Sequence, residues 1–146
     1  METGKDSLAE YECGGLIKQI KDAIAKLANN SLREKNLTLT QMRVLMELHS
    51  SKDAMPLKEI ERKLQVAQSS AAGVVSRLRA KGFVSTFTSS DDSRVKLARL
   101  TESGKQCCYN TWQDIERLEA RMFAGFSKVE KDELNRQLLK ISENLK

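Results

Sequence analysis

The chain has 146 residues, enough for one domain with a fair core or for a small domain with dimerisation arms. A single proline and 5% aromatic residues argue against an all-β chain, while 31% charged residues and a net charge of +5 suit amphipathic helices. The start, METGKDSLAE, lacks the apolar stretch of a signal peptide, and no apolar run approaches the roughly 18 residues that cross a bilayer, so a soluble, cytoplasmic protein without a membrane partner is expected.

The first predicted element is a helix from Leu8 to about Leu32, with a stripe of Leu16, Ile20, Ile24 and Leu27 and a glycine pair, Gly14-Gly15, in its opening turns. Thr38-Leu39-Thr40 reads as the start of a second helix with Thr40 as its N-cap, and Met42, Leu45, Met46 and Leu48 supply the apolar face. Residues 51–54 form a loop, and Pro56 suits the first turn of a short helix, Leu57 to Leu64, buried through Leu57, Ile60 and Leu64. Only Gln65, Val66 and Ala67 separate that helix from the next, which opens at Gln68 within VAQSSAAGVVSRLRAK, Val66 to Lys81. Two short helices joined by a three-residue turn form a helix-turn-helix.

Gly82 ends this fourth helix as a left-handed cap. Phe83 to Thr88 and Arg94 to Leu100 read as strands around the polar turn 89–93, a hairpin carrying basic Arg94, Lys96 and Arg99. A hairpin directly after a recognition helix is a wing. Thr101 caps a helix running to about Ala124, with Tyr109, Trp112, Ile115, Leu118 and Met122 inside, and Gly125 ends it. Ser127 and Glu130 form a capping box for a last helix, whose Leu134, Leu138, Ile141 and Leu145 make a seam too short to stand alone. That seam needs the first helix or a second subunit.

The fourth helix is the informative one. Ala71, Val74, Val75 and Leu78 make one buried stripe, and the other face shows Gln68, Ser69, Ser70, Ala72, Gly73, Ser76 and Arg77. A solvated face usually carries Glu and Lys, yet no carboxylate occurs between Gln68 and Leu78. Such a face either packs in a core or presses on an anionic surface and offers donors and acceptors to base edges. From Thr38 to Leu100 there are 11 Lys and Arg against 6 Asp and Glu, which accounts for the chain's whole excess of positive charge. That matches the footprint of a nucleic-acid reader between neutral flanks, with ordinary surface charge as the alternative, since +5 is modest.

An enzyme is not expected. The one histidine, His49, lies on a core-adjacent helix with no nucleophile–base pair, metal cluster or phosphate loop, and no cofactor or metal is implied. Cys13, Cys107 and Cys108 form neither a disulfide framework nor a zinc pattern. They read as reduced, part-buried thiols, and a redox sensor is the alternative.

The ordered set LTQMRVL (39–45), Leu64-x-Val66, Leu78-x-x-Lys81-Gly82-Phe83-Val84, Asp92-x-Arg94 and Leu100-Thr101-Glu102-x-Gly104 resembles the MarR family of winged helix-turn-helix regulators. The resemblance covers Leu39 to Gly104 without gaps; the flanks match in layout only. It implies a mainly α fold with a small β-hairpin wing and helical dimerisation arms, in the order helix, helix, short strand, two helices, two strands, two helices. Residues 1–37 and 101–146 would be dimerisation helices, and 38–100 the DNA-binding domain. It further implies a homodimer on a pseudo-palindromic duplex, the recognition helix in the major groove, and Arg94 in the minor groove oriented by Asp92. Many members respond to small aromatic ligands. A pocket near Leu16, Ile20, Met46, His49, Tyr109 and Trp112 is the candidate site, with plain core as the alternative.

The sequence departs from the family pattern at several positions. Glu61 stands where Ala is usual, Gln65 where Gly is usual, Ala67 where a Ser or Thr cap is frequent, and Gly73 where a long polar residue is frequent. Thr86 replaces a common wing arginine. The reading is a dimeric, sequence-specific DNA-binding regulator, a repressor released by a small ligand. Ser69, Ser70, Ala72, Gly73 and Ser76 would face bases, with Gln68 near the helix start, and Arg77 and Lys58 would contact phosphate. The alternatives are a winged-helix protein-interaction module and a thiol-based regulator.

Overall fold

In a computed structural model, which describes residues 12–146 apart from the Ser69 side chain, the elements are α1 (Cys13–Glu34), α2 (Leu39–Ser51), β1 (Met55–Pro56), α3 (Leu57–Leu64), α4 (Gln68–Ala80), β2 (Val84–Thr88), β3 (Lys96–Leu100), α5 (Glu102–Met122) and α6 (Lys128–Asn144). This is the mainly helical chain with a small sheet that the sequence implies. The chain forms two compact units that meet in sequence between Tyr109 and Asn110. The first holds the winged helix-turn-helix and the opening turns of α5. The second holds the rest of α5 and α6.

The core of the first unit collects one face from each short element. Val44, Leu45 and Leu48 of α2, Ile60 of α3, Leu78 of α4 and Cys108 of α5 are its largest fully buried side chains. The sheet order is β1-β3-β2, antiparallel throughout. Met55 pairs with Ala98 and Val84 with Leu100, and these four residues are buried, so the sheet closes the core on one side.

Three helices in this unit end alike. Asn36, Gln65 and Gly82 adopt left-handed φ of 54°, 54° and 80°. The next residue folds back in each case: Leu37 N–H donates to Leu32 O (3.0 Å), Val66 N–H to Glu61 O (3.2 Å) and Phe83 N–H to Leu78 O (3.0 Å). Each closing residue is apolar and packs on or in the core. Gln65 therefore does the work of the usual glycine, at a cost of about 1–2 kcal/mol for a side chain in that region.

Several sequence-based boundaries shift. The first helix runs from Cys13 to Glu34, not to Leu32, because left-handed Asn36 sets its end; Leu8 to Tyr11 lie outside the described residues. The cap of α2 is Thr38, not Thr40. Thr38 Oγ1 accepts Gln41 N–H (3.1 Å), and Gln41 Oε1 accepts Thr38 N–H (3.1 Å). Thr40 has Arg43 three residues on, which has no acceptor to return. Pro56 is the N-cap of α3 and sits in β1 rather than in the first turn. The strands are shorter, and Arg94 lies in the turn, because Asp92 Oδ1 takes its N–H (3.0 Å) out of the ladder. The fifth helix ends at Met122, before left-handed Gly125.

The long helices hold the largest correction. Tyr109, Trp112, Ile115 and Met122 are exposed rather than inside, and Leu118 is half-buried. What α5 buries is Gly104, Cys107 and Cys108, the face that meets the winged core. No residue of α1 or α6 is buried. The apolar stripe of α5 runs on past the residues that a single chain covers.

Replacing Thr38 by Ala is expected to cost about 1 kcal/mol of stability, read from the urea midpoint, because α2 loses its reciprocal cap. Thr40→Ala should change the midpoint by less than half as much; equal losses would return the cap to Thr40.

Candidate nucleic-acid interface

The inner stripe of α4 is held firmly. Ala71 and Leu78 are fully buried, and Val74 and Val75 nearly so. The same helix therefore has to turn its other face outward. Gln68, Ser70, Ala72, Ser76 and Arg77 are exposed, and Gly73 is half-exposed. Ser69 lies in the first turn of the helix. The sequence-based split of this helix into a buried and a presented face matches the burial residue by residue, Ser69 apart, and excludes the core-helix alternative. Ala67 provides no side-chain cap. Gly73 has open space where a Cβ would stand, so packing does not demand glycine there.

Lys58 is exposed on α3. Its neighbours are committed elsewhere: Arg62 pairs with Glu59 (2.6 Å) and Lys63 with Glu47 (3.2 Å). These surface pairs contribute little stability, but among the described residues they leave Lys58 as the α3 cation without a carboxylate at ion-pair distance.

In the wing, Asp92 holds Arg94 with a fork. Arg94 Nε donates to Oδ1 (3.1 Å), one terminal nitrogen to Oδ2 (3.3 Å), and the backbone N–H also to Oδ1. The Arg94 hydrogen bonds keep the Asp92 carboxyl below its ordinary range, so it stays ionised and keeps its grip at neutral pH. The Arg94 side chain is nevertheless 89% exposed. It is oriented without being buried. The turn beneath it is braced by Ser89 N–H to Val95 O (2.9 Å) and Val95 N–H to Asp92 O (3.0 Å).

Arg99, read from the sequence as part of the basic hairpin, is structural. It stacks over the Phe87 ring (4.8 Å) and reaches Asp53 (3.4 Å), joining β3 to the loop before β1. Arg79 lies outside the set that the helix pattern singles out. It donates to Thr86 Oγ1 (3.3 Å), tying α4 to β2. Its position two residues after Arg77, at the end of a carboxylate-free helix, was the available signal.

The six residues proposed for a ligand pocket differ in exposure. Leu16, Ile20, Tyr109 and Trp112 are exposed, and Met46 packs against the core. His49 is exposed in the last turn of α2, a helix whose other face is in the core. It does line an open cavity of about 460 Å³ with Leu48, Lys52, Asp53, Arg99, Leu100 and Lys105. Among the described residues no His, Cys, Asp and Glu cluster has metal-holding geometry, and no helix is long and apolar enough to cross a membrane.

Cys107 and Cys108 are buried, and Cys13 is exposed. Burial pushes both buried thiols up, Cys108 to about 11, with the neighbouring Cys107 adding to the shift. Both therefore stay as unreactive thiols at neutral pH. Iodoacetamide at pH 7.5 should modify Cys13 in the folded protein and reach Cys107 and Cys108 only on unfolding, as read by peptide mass mapping. Modification of Cys108 as fast as Cys13 would contradict this burial.

Residues 37–96 match the MarR family model. The chain is 29% identical to the HTH-type transcriptional repressor IacR of Pseudomonas putida, over 78% of this chain and 68% of that protein. It is 26% identical to YwaE, an uncharacterised HTH-type transcriptional regulator of Bacillus subtilis, over 82% and 70%. Its fold is similar to S. aureus MepR in a complex with DNA, with a TM-score of 0.80 over 90% of this chain and 98% of that one; at 20% identity the likeness is one of fold. The helix-turn-helix lies within the stretch that matches the MarR family model, residues 37–96, and the chain is similar to winged-helix regulators of that family.

Proposed function

We propose that this protein is a dimeric, sequence-specific reader of duplex DNA that works in the cytoplasm as a transcriptional repressor and is released by a small ligand. The observation that carries the reading is α4. Its apolar side is consumed by the core, and its other side offers small, uncharged polar groups with no carboxylate to repel phosphate. Ser69, Ser70, Ala72, Gly73 and Ser76 face base edges, with Gln68 at the start. Arg77 and Lys58 take phosphates and set register. Arg94, aimed by Asp92, enters the minor groove, where a narrow A·T tract concentrates negative potential.

Residues 38–100 form the DNA-binding part of this reading, and 1–37 and 101–146 the arms. Leu16, Ile17 and Ile20 of α1, Trp112 and Ile115 of α5, and Leu138 and Ile141 of α6 are exposed in the single chain. Apolar faces of this extent favour a second copy, and a two-fold dimer presents two α4 helices to a palindromic site. The repressor sense is supported by the IacR relationship. The cavity beside His49 is the candidate ligand site of this reading; of its cations, Arg99 is already held by Asp53 and Lys105 by Glu102, which leaves Lys52 to meet an anionic group.

Affinity for a selected duplex should fall by about three orders of magnitude between 50 and 200 mM salt, as the release of counterions from several phosphates requires. Arg94→Ala should weaken binding by about 1–3 kcal/mol in fluorescence anisotropy. No retardation of any duplex at low salt would favour a protein-interaction module instead. Undiminished binding by Arg94→Ala would remove the wing from the interface.

A further inference from the structure

The far end of α4 is gripped from two sides. On one side, Lys81, its C-cap, reaches back to the elbow between α1 and α2: Nζ donates to the Asn36 carbonyl and to Gln41 Oε1 (3.2 Å). Neither acceptor is loose. Asn36 is the left-handed residue that closes α1, and Gln41 is only 5% exposed, with its Oε1 also accepting Thr38 N–H in the capping box of α2. On the other side, Thr101 at the start of α5 donates its N–H to Phe83 O (3.1 Å) and its hydroxyl to Gly82 O (2.6 Å). Gly104 presses so close that an added Cβ would stand 2.1 Å from Phe83 O. Residues 81–83 are thus the point where α1–α2 and α5 both hold the recognition helix.

We infer that Lys81 is a positioning residue for DNA recognition, a latch that fixes the direction of α4 against the α1–α2 elbow and so the separation of the two α4 helices in the dimer. The inference rests on the DNA-binding, dimeric reading above. By sequence Lys81 resembles one more phosphate contact, following Arg77 and Arg79 at the end of a basic helix. Its geometry assigns it otherwise. Two of its three donors go to the protein's own oxygens, on segments 45 and 40 residues earlier in the chain. The α5 side of the grip uses backbone carbonyls that any residue supplies, so Lys81 is the side chain of α4 on which the elbow's hold depends.

The test uses the full chain and duplexes with two copies of the half-site that the wild type selects from random DNA, at the selected separation and at separations about one or two base pairs longer and shorter. The wild type should prefer the selected separation. Lys81→Met should bind it about ten-fold more weakly, as when only a tenth of the molecules hold α4 correctly. It should also lose most of the preference among separations and keep the wild-type salt slope. Lys81→Arg should restore the preference. Gln41→Glu, which keeps the capping box and turns the latch into an ion pair, should sharpen the preference and serves if Lys81→Met does not fold. A wild-type separation profile in Lys81→Met or in Gln41→Glu overturns the latch. So does a salt slope lower by about one in Lys81→Met, which would make Lys81 a phosphate contact. A wild type that binds no duplex sinks the DNA-binding reading and the latch with it; normal separation preference in Lys81→Met sinks the latch alone.

Discussion

Everything in the winged unit depends on how α4 is held. Four apolar side chains, Ala71, Val74, Val75 and Leu78, enter a core built from α2, α3, the sheet and the start of α5. Burying them contributes several kcal/mol in aggregate, at about 25 cal/mol for each Å² of apolar surface removed from water. A helix of 13 residues has little stability alone, so this packing is what makes α4 a helix at all. It also decides which face is left for a partner. Fold and function share one constraint: the stripe that stabilises the helix is the reason its polar side is presented.

The ends of the helices carry this constraint outward. Left-handed Asn36, Gln65 and Gly82 each turn the chain so that the next apolar residue returns to the core. These turns make short helices behave as one block. Gln65 shows how far packing overrides local preference: Val66 seals against the core, and the turn keeps its shape without glycine. The wing is fastened by different means. Arg79 bonds to Thr86, and Arg99 is fixed between Phe87 and Asp53, so the hairpin is braced from both strands while Arg94, held by Asp92, stays exposed at the turn.

Much of this could be read from the sequence because it is periodic or local. The stripe of α4 follows from spacing, the capping box of α6 from Ser127 and Glu130, and the break at Gly82 from glycine. What could not be read involves partners distant in sequence. Thr38 and Thr40 both look like caps until the reply from Gln41 decides between them. Arg99 and Arg94 look alike as basic hairpin residues, yet one faces Asp53 across 46 residues and the other its neighbour Asp92. The stripes of α1 and α5 were legible as apolar, but periodicity cannot say whether the covering surface belongs to the same chain. Tyr109 and Trp112 are exposed in the single chain.

The central claim is that the small polar face of α4 lies against base edges. Dimethyl sulfate interference on a selected duplex tests it most directly, because guanine N7 lies in the major groove. The account predicts that methylation at guanines in two patches, about one helical turn apart, blocks binding. Binding that tolerates methylation at every guanine, while ethylation of phosphates still blocks it, would show a protein that holds the backbone without reading the bases, and would contradict the account.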